Sequence, residues 1–223
     1  MRVCVLIPAY NEEATISVLV QEIISHGFEV IVVDDGSTDN TALKAKESQA
    51  FVLSHPHNLG KGQALRTGFK YVRGGDYDAV VTMDADGQHL ADEISNFISM
   101  AEQSNAGIII GNRMSEPVGM PLIRRITNYL TSYIISKITS VNIPDSQCGF
   151  RLIKTEVLKK LNLSTVKYET ESEILIDAAR NNFIIDSIAV KAVYAHQKSQ
   201  INPVVDTMRF WSLIGRNIFR KKL

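Results

Sequence analysis

The chain has 223 residues, 45% of them hydrophobic and 22% charged, and its 24 basic side chains balance 24 acidic ones to a formal net charge of +0. This is an ordinary globular composition, and it removes a whole-chain field as an argument for nucleic acid or an acidic polymer as partner. The two cysteines form no metal-ligand pattern: Cys4, in an apolar run, reads as the buried thiol of a reducing compartment, with a Cys4–Cys148 disulfide as the minor alternative.

RVCVLIP (2–8) is a buried strand stopped by proline, and Asn11, Glu12 and Glu13 are expected to open a helix with acids in its first turn. EVIVVDD (29–35) is a second strand, with turn and N-cap chemistry at 37–40 before a helix from Thr41. FVLSH (51–55) is a third strand, followed by a helix at 60–73 behind a Gly-Lys-Gly turn. YDAVVTMD (77–84) precedes a helix from Asp92, and AGIIIG (106–111) is a fifth strand. Apolar residues at helical spacing make 121–139 a long amphipathic helix. A short strand at 147–153 follows, then helices at 154–161 and 169–181, strands within 183–195, and a final helix near 203–220. Continuous apolar strands alternating with helices predict an α/β fold, a mostly parallel central sheet with helices on both faces. No repeat or linker interrupts it, so 1–223 is expected to be one domain. Met1-Arg2 leads directly into a short apolar run ending at Pro8, and no window reaches the ~18 apolar residues of a membrane span. A cytoplasmic location is therefore expected.

In open α/β sheets ligands bind beyond the carboxyl ends of the strands. Four polar clusters fall there: PAYNEE, DDGSTD, NLGKG and DADGQ. In the last, Asp84 and Asp86 offer hard oxygen ligands and Gln88 a neutral one, a set suited to Mg²⁺ or Mn²⁺. An EF-hand is excluded, because Gly87 comes fourth in the loop where that motif needs glycine sixth. The bland alternative is an acid-rich capping turn. Asp35 is expected to face a ligand, as a ribose or base acceptor, while Ser37 or Asp39 caps backbone. Gly60-Lys61-Gly62 lets backbone or Lys61 approach a ligand, although the phosphate-loop motif is absent. Arg113, Arg124, Arg125 and Arg151 are candidates to balance a diphosphate, or else are solvated surface cations. His89, beside the acid loop, belongs near the site or is a structural hydrogen bonder.

IPAYNEE, VVDDGSTDNT, NLGKGQALRTGF, MDADGQH, GNR and DSQCGFRL, in this order, resemble the inverting family 2 glycosyltransferases of the GT-A fold. Within these, the resemblance is to dolichyl- and polyprenyl-phosphate sugar transferases of the dolichol-phosphate mannosyltransferase kind. It covers residues 2–155 well and the remainder loosely. It implies that Pro8, Tyr10 and Glu12 hold the nucleotide base and ribose, with Val33 and Asp35 beside them. Asp84 and Ala85 would line the donor. Asp86 with Gln88 would bind the metal bridging the diphosphate of a UDP- or GDP-linked sugar. Arg113 and one of Arg124 or Arg125 would meet phosphate oxygens, and QCGFR would border the acceptor. The family's late R-x-x-G-x-S-K pattern is replaced here by YAHQKSQ (194–200), where only Ser199 clearly fits and which puts the acceptor in doubt.

The resemblance implies transfer of a sugar to a polyprenyl phosphate, with Asp84, Asp86 and Arg113 at the reacting centre. A glycan or other hydroxyl acceptor, a sugar-phosphate nucleotidyltransferase, or a non-catalytic nucleotide-binding protein are the rival readings. On a helix, the tail TMRFWSLIGRNIFRKKL sets Arg209, Arg216 and Arg220 against Trp211, Ile214 and Ile218. Such a helix lies peripherally on the cytoplasmic face of a membrane, or packs on the domain or a second subunit.

Overall fold

A computed structural model describes residues 1–192 and 209–215 of the chain. Strands β1 (Val3–Ala9), β2 (Glu29–Asp34), β3 (Phe51–Ser54), β4 (Ala79–Thr82), β5 (Ile108–Asn112), β6 (Arg151–Lys154) and β7 (Ile185–Ala189) form one seven-stranded sheet of order β3-β2-β1-β4-β6-β5-β7. The helices are α1 (Ile16–Ser25), α2 (Thr41–Glu47), α3 (Lys61–Gly74), α4 (Ile94–Gln103), α5 (Leu122–Thr139), α6 (Thr155–Leu158) and α7 (Thr170–Arg180). β1 and β4 are buried along their whole length, which is why they read as unbroken apolar runs.

All pairings are parallel except those of β6, which runs antiparallel to both β4 and β5. Right-handed crossovers from β1 through β3 and then back to β4 put α1 and α2 on one face and α3 on the other. The order reverses between β1 and β4, so a crevice for ligands opens there, beyond the carboxyl ends.

The first helix starts at Ile16, with no acid in its first turn, later than Asn11–Glu13 led us to expect. Asn11 adopts φ 55°, which breaks a helix, and the Glu12 carbonyl accepts from Thr15 and Ile16 as a turn. The strand expected at 147–153 is the shorter β6, and the last described strand ends at Ala189. Cys4 and Cys148 are separate buried thiols, each pushed up to about 12 by burial, so the disulfide alternative is absent. Of the helix expected near 203–220, only 209–215 is described; it is helical, with Phe210, Leu213 and Ile214 buried and Trp211 54% exposed. Trp211 and Ile214 thus do not share an outward face. YAHQKSQ lies outside the described residues. No described helix is long and apolar enough to cross a membrane.

Candidate active site

Four loops meet at the crevice, and side chains stitch them together. Asn11 N–H donates to Ser37 Oγ at 2.9 Å, Glu12 N–H to Thr41 Oγ1 at 2.8 Å, and Glu13 N–H to Asp39 Oδ2 at 3.2 Å, joining the first loop to the second. Thr15 Oγ1 donates to the Ala85 carbonyl at 2.8 Å, joining the first to the fourth. Asp35 joins the second to the third: its carboxylate contacts His55 Nδ1 at 2.7 Å and accepts from the backbone of Leu59 at 2.9 Å and Gly60 at 2.7 Å. Asp35, expected to face a ligand as a ribose or base acceptor, directs its carboxylate to these inward bonds. Buried and bonded inward, it shapes the turn at Gly60 (φ 104°) from which Lys61 begins α3. Ser37 and Asp39 do bond backbone, as anticipated. Val33, fully buried opposite Pro8, lies within the sheet with no exposed side chain to offer a base. Tyr10 is half-buried immediately beyond β1.

At the centre, Lys61 Nζ lies 2.5 Å from Asp84 Oδ1 and 2.6 Å from Glu171 Oε1. Burial disfavours the Lys61 charge, but the two carboxylates outweigh it and raise its pKa. Burial likewise opposes ionised Asp84, yet Lys61 prevails and holds that carboxyl below its ordinary range. Two residues on, burial and then the Asp84 charge push Asp86 up, and burial and then Asp86 push Glu12 up. The site therefore holds one carboxylate paired with a lysine and two, one from each of two loops, whose ionisation the protein resists. Gln88 is half-buried beside them and donates its backbone N–H to Asp86 Oδ1 at 3.0 Å. Among the described residues no three His, Cys, Asp or Glu side chains form a closed metal-ligand set. Closely spaced hard oxygens whose joint ionisation the site resists nonetheless fit Mg²⁺ or Mn²⁺, which keep positions open for water or phosphate.

Three further residues complete the centre. Gly149 lies against Asp84 so closely that a Cβ there would sit 2.5 Å from Asp84 Oδ1. His89 is buried against Phe150, ring centroids 5.1 Å apart; its Nδ1 has no hydrogen-bond partner, and burial lowers its pKa to about 4, leaving it neutral. Pro8 lines a small cavity with Lys61, Thr82, Asp84, Arg151 and Glu171.

The arginines divide into different roles. Arg113 grips Asp145 through Nε at 2.8 Å and a terminal nitrogen at 3.0 Å, and Asn128 Nδ2 donates to the same carboxylate at 2.8 Å. Burial disfavours the Asp145 charge, but Arg113 outweighs it and lowers the pKa. Arg151, 1% exposed, donates to the carbonyls of Ser146, Cys148 and Glu171 at 2.8, 2.7 and 2.6 Å, so it ties DSQCGF to α7 and is no surface cation. Arg124 is half-buried and Arg125 exposed on α5, where Arg125 lines a groove that starts at Asn112. Glu171 and Asp145 went unnoticed in the sequence. Asp145 heads the DSQCGFR motif, which is a signal; Glu171 reads as one of several acids opening a helix.

A family model described as Glycosyl transferase family 2 matches residues 4–162. The UDP-N-acetylglucosamine–dolichyl-phosphate N-acetylglucosaminyltransferase of Methanococcus voltae is 34% identical over 212 residues, covering 85% of this chain and 84% of that protein. The polyprenol monophosphomannose synthase of Mycolicibacterium smegmatis is 28% identical, covering 96% and 88%. Among solved structures, glucosyl-3-phosphoglycerate synthase from Mycobacterium tuberculosis, in complex with Mn²⁺ and UDP-glucose, superposes with TM-score 0.67 at 22% identity, covering 88% of this chain and 72% of that one. The fold is thereby the GT-A fold.

Proposed function

The chain belongs to glycosyl transferase family 2, and we propose that it moves a sugar, with inversion, from a UDP- or GDP-linked donor to a polyprenyl phosphate. The observation carrying this reading is the charge arrangement where the first and fourth loops meet: Asp84 paired with Lys61, Asp86 and Glu12 resisting ionisation. An incoming divalent cation with its diphosphate relieves that conflict. Relatives that share most of this chain's length are named for dolichyl-phosphate and polyprenol-phosphate products, which supports the acceptor class.

Asp86 and Gln88 would hold Mg²⁺ or Mn²⁺, which when bound supplies Lewis-acid neutralisation of the departing diphosphate. The protein's own groups orient the reactants. Pro8, Tyr10 and Glu12 border the base and ribose, with Asp35 fixing the loop beneath. Ala85 lines the donor through its backbone, and Lys61 keeps Asp84 ionised and still beside the sugar. Arg113, held by Asp145, and Arg125, at the groove, face phosphate on the acceptor side. A phosphate acceptor is already ionised at neutral pH, so attack opposite the leaving group needs no strong general base. The whole chain acts as one catalytic domain, peripheral to the membrane that carries its acceptor.

Purified chain is incubated with labelled UDP- and GDP-sugars, polyprenyl phosphate and Mg²⁺ or Mn²⁺. Label is expected in the lipid, and Asp86→Ala is expected to remove it. Label entering only soluble sugars, or an Asp86→Ala protein with full turnover, refutes the proposal.

A further inference from the structure

Helix α5 presents its faces the wrong way round for a helix in water. Over its first three turns its inward side is polar: Asn128 bonds Asp145, and Ser132 Oγ accepts from the Ser146 N–H at 2.8 Å, while Ile135 turns into the core further along. Its outward side carries Leu122, Ile123, Ile126, Tyr129, Leu130 and Tyr133, each between 53% and 81% exposed. At about 100° per residue these six fall within an arc of about 120°, facing away from Asn128 and Ser132. Val118, in the loop just before, is 80% exposed and extends the patch. The helix bears Arg124, Arg125 and Lys137 and no acid, in a chain whose charges as a whole sum to +0.

We propose that α5 and the Val118 loop seat the protein in the headgroup layer of an anionic bilayer. An apolar stripe with tyrosines and flanking cations matches that boundary, where apolar groups sink and basic groups meet anionic headgroups. A second copy of the chain fits less well, because a two-fold interface would bring Arg125 and Lys137, which lie on or beside this stripe, up against the same two cations of the other copy. A groove of about 1020 Å³ runs along α5, lined by Arg125, Ile126, Tyr129, Tyr133 and Lys137, and reaches Asn112, the residue before Arg113. Seated this way, the catalytic edge stands at the depth of lipid headgroups. The inference goes beyond the reading of the reaction and does not need it.

The test is cosedimentation of the full chain with phosphatidylcholine vesicles, with and without phosphatidylglycerol. Binding is expected only with phosphatidylglycerol and should weaken with added salt. Ile123→Glu/Leu130→Glu, at positions 81% and 53% exposed, should keep its melting temperature yet bind on the order of a hundredfold more weakly. As a measurement that needs no variant, hydrogen exchange in the native chain should slow across 115–133 when the vesicles are added. Absence of native binding, or a double variant that binds like the native chain, overturns the assignment, the latter in favour of the C-terminal tail. A dimer lost in the double variant, without vesicle binding, reassigns the face to a second copy. None of these readouts uses turnover, so a chain that transfers no sugar still decides the question.

Discussion

Replacing Gly149 with alanine adds one methyl group directly against the carboxylate at the centre of the site. The new Cβ would lie 2.5 Å from Asp84 Oδ1 and 2.6 Å from Oδ2, whereas ordinary contact begins at 3.4 Å. Asp84 must therefore retreat by 0.9 Å. It cannot swing aside freely, because its side chain is short and Oδ1 is engaged by Lys61 at 2.5 Å. Misplacing a reacting group by about 1 Å costs on the order of a hundredfold in rate, so kcat/KM for sugar transfer should fall by about that factor. Overpacking of a filled site costs about 1–3 kcal/mol, which should appear as a modest drop in urea stability. Gly149 has no left-handed φ, so alanine brings no backbone strain to confuse the result. Steady-state kinetics with the labelled donor, paired with urea denaturation, separates the two effects. A variant with native kcat/KM would show that the Asp84 position is not critical, and the placement of this carboxylate in the reaction would fall.

Other outcomes follow from the ion pairs. Glu171→Gln leaves Lys61 with one carboxylate and should cost about 1.5–3 kcal/mol in urea denaturation, the range for a hydrogen bond to a charged group. Asp145→Asn removes the negative charge that the Arg113 guanidinium, 9% exposed, grips, and should cost about 3–5 kcal/mol by the same measurement. His89 gives a pH signature: its folded pKa of about 4 lies below the unfolded 6.5, so the unfolded chain binds the extra proton between those values. Its contribution is full above pH 6.5 and is lost as pH falls to 4, by about 3 kcal/mol, and a stability–pH curve of His89→Gln should lack that slope.

The fold was readable where one residue pattern leaves one option. β1, β2 and β4 carry unbroken apolar runs because both faces of the sheet are covered there, and the polar clusters after them could only lie at the sheet's carboxyl edge. β6 escaped notice as an antiparallel insertion, since four residues, RLIK, carry no sign of direction and pairing partners are set by the tertiary fold. The identity of the site's residues was more visible than their orientation. Asp35 and Asp84 both follow a strand end, yet one bonds its neighbouring loop and the other meets Lys61. What separates them is where the third loop and α7 arrive, and that depends on long-range packing. Glu171, 87 residues beyond Asp84 in the chain, could not be linked to Lys61 by any spacing rule.

The site combines two opposed designs. Its frame is heavily bonded: Asp35, Asp39, Asp145 and Arg151 each satisfy several partners, so the loops have little freedom to relax. Within that frame Asp86 and Glu12 stand close enough for each charge to resist the next. A flexible loop would separate like charges and lose the conflict; the rigid frame preserves it, and only a bound cation removes it. Electrostatic tension of this kind costs stability in the free protein and returns it as affinity when the cation and diphosphate arrive. Lys61 tempers this tension rather than creating it: its charge lowers the pKa of Asp84 and of Asp86 alike, and the rise that remains at Asp86 comes from burial and then from the Asp84 charge.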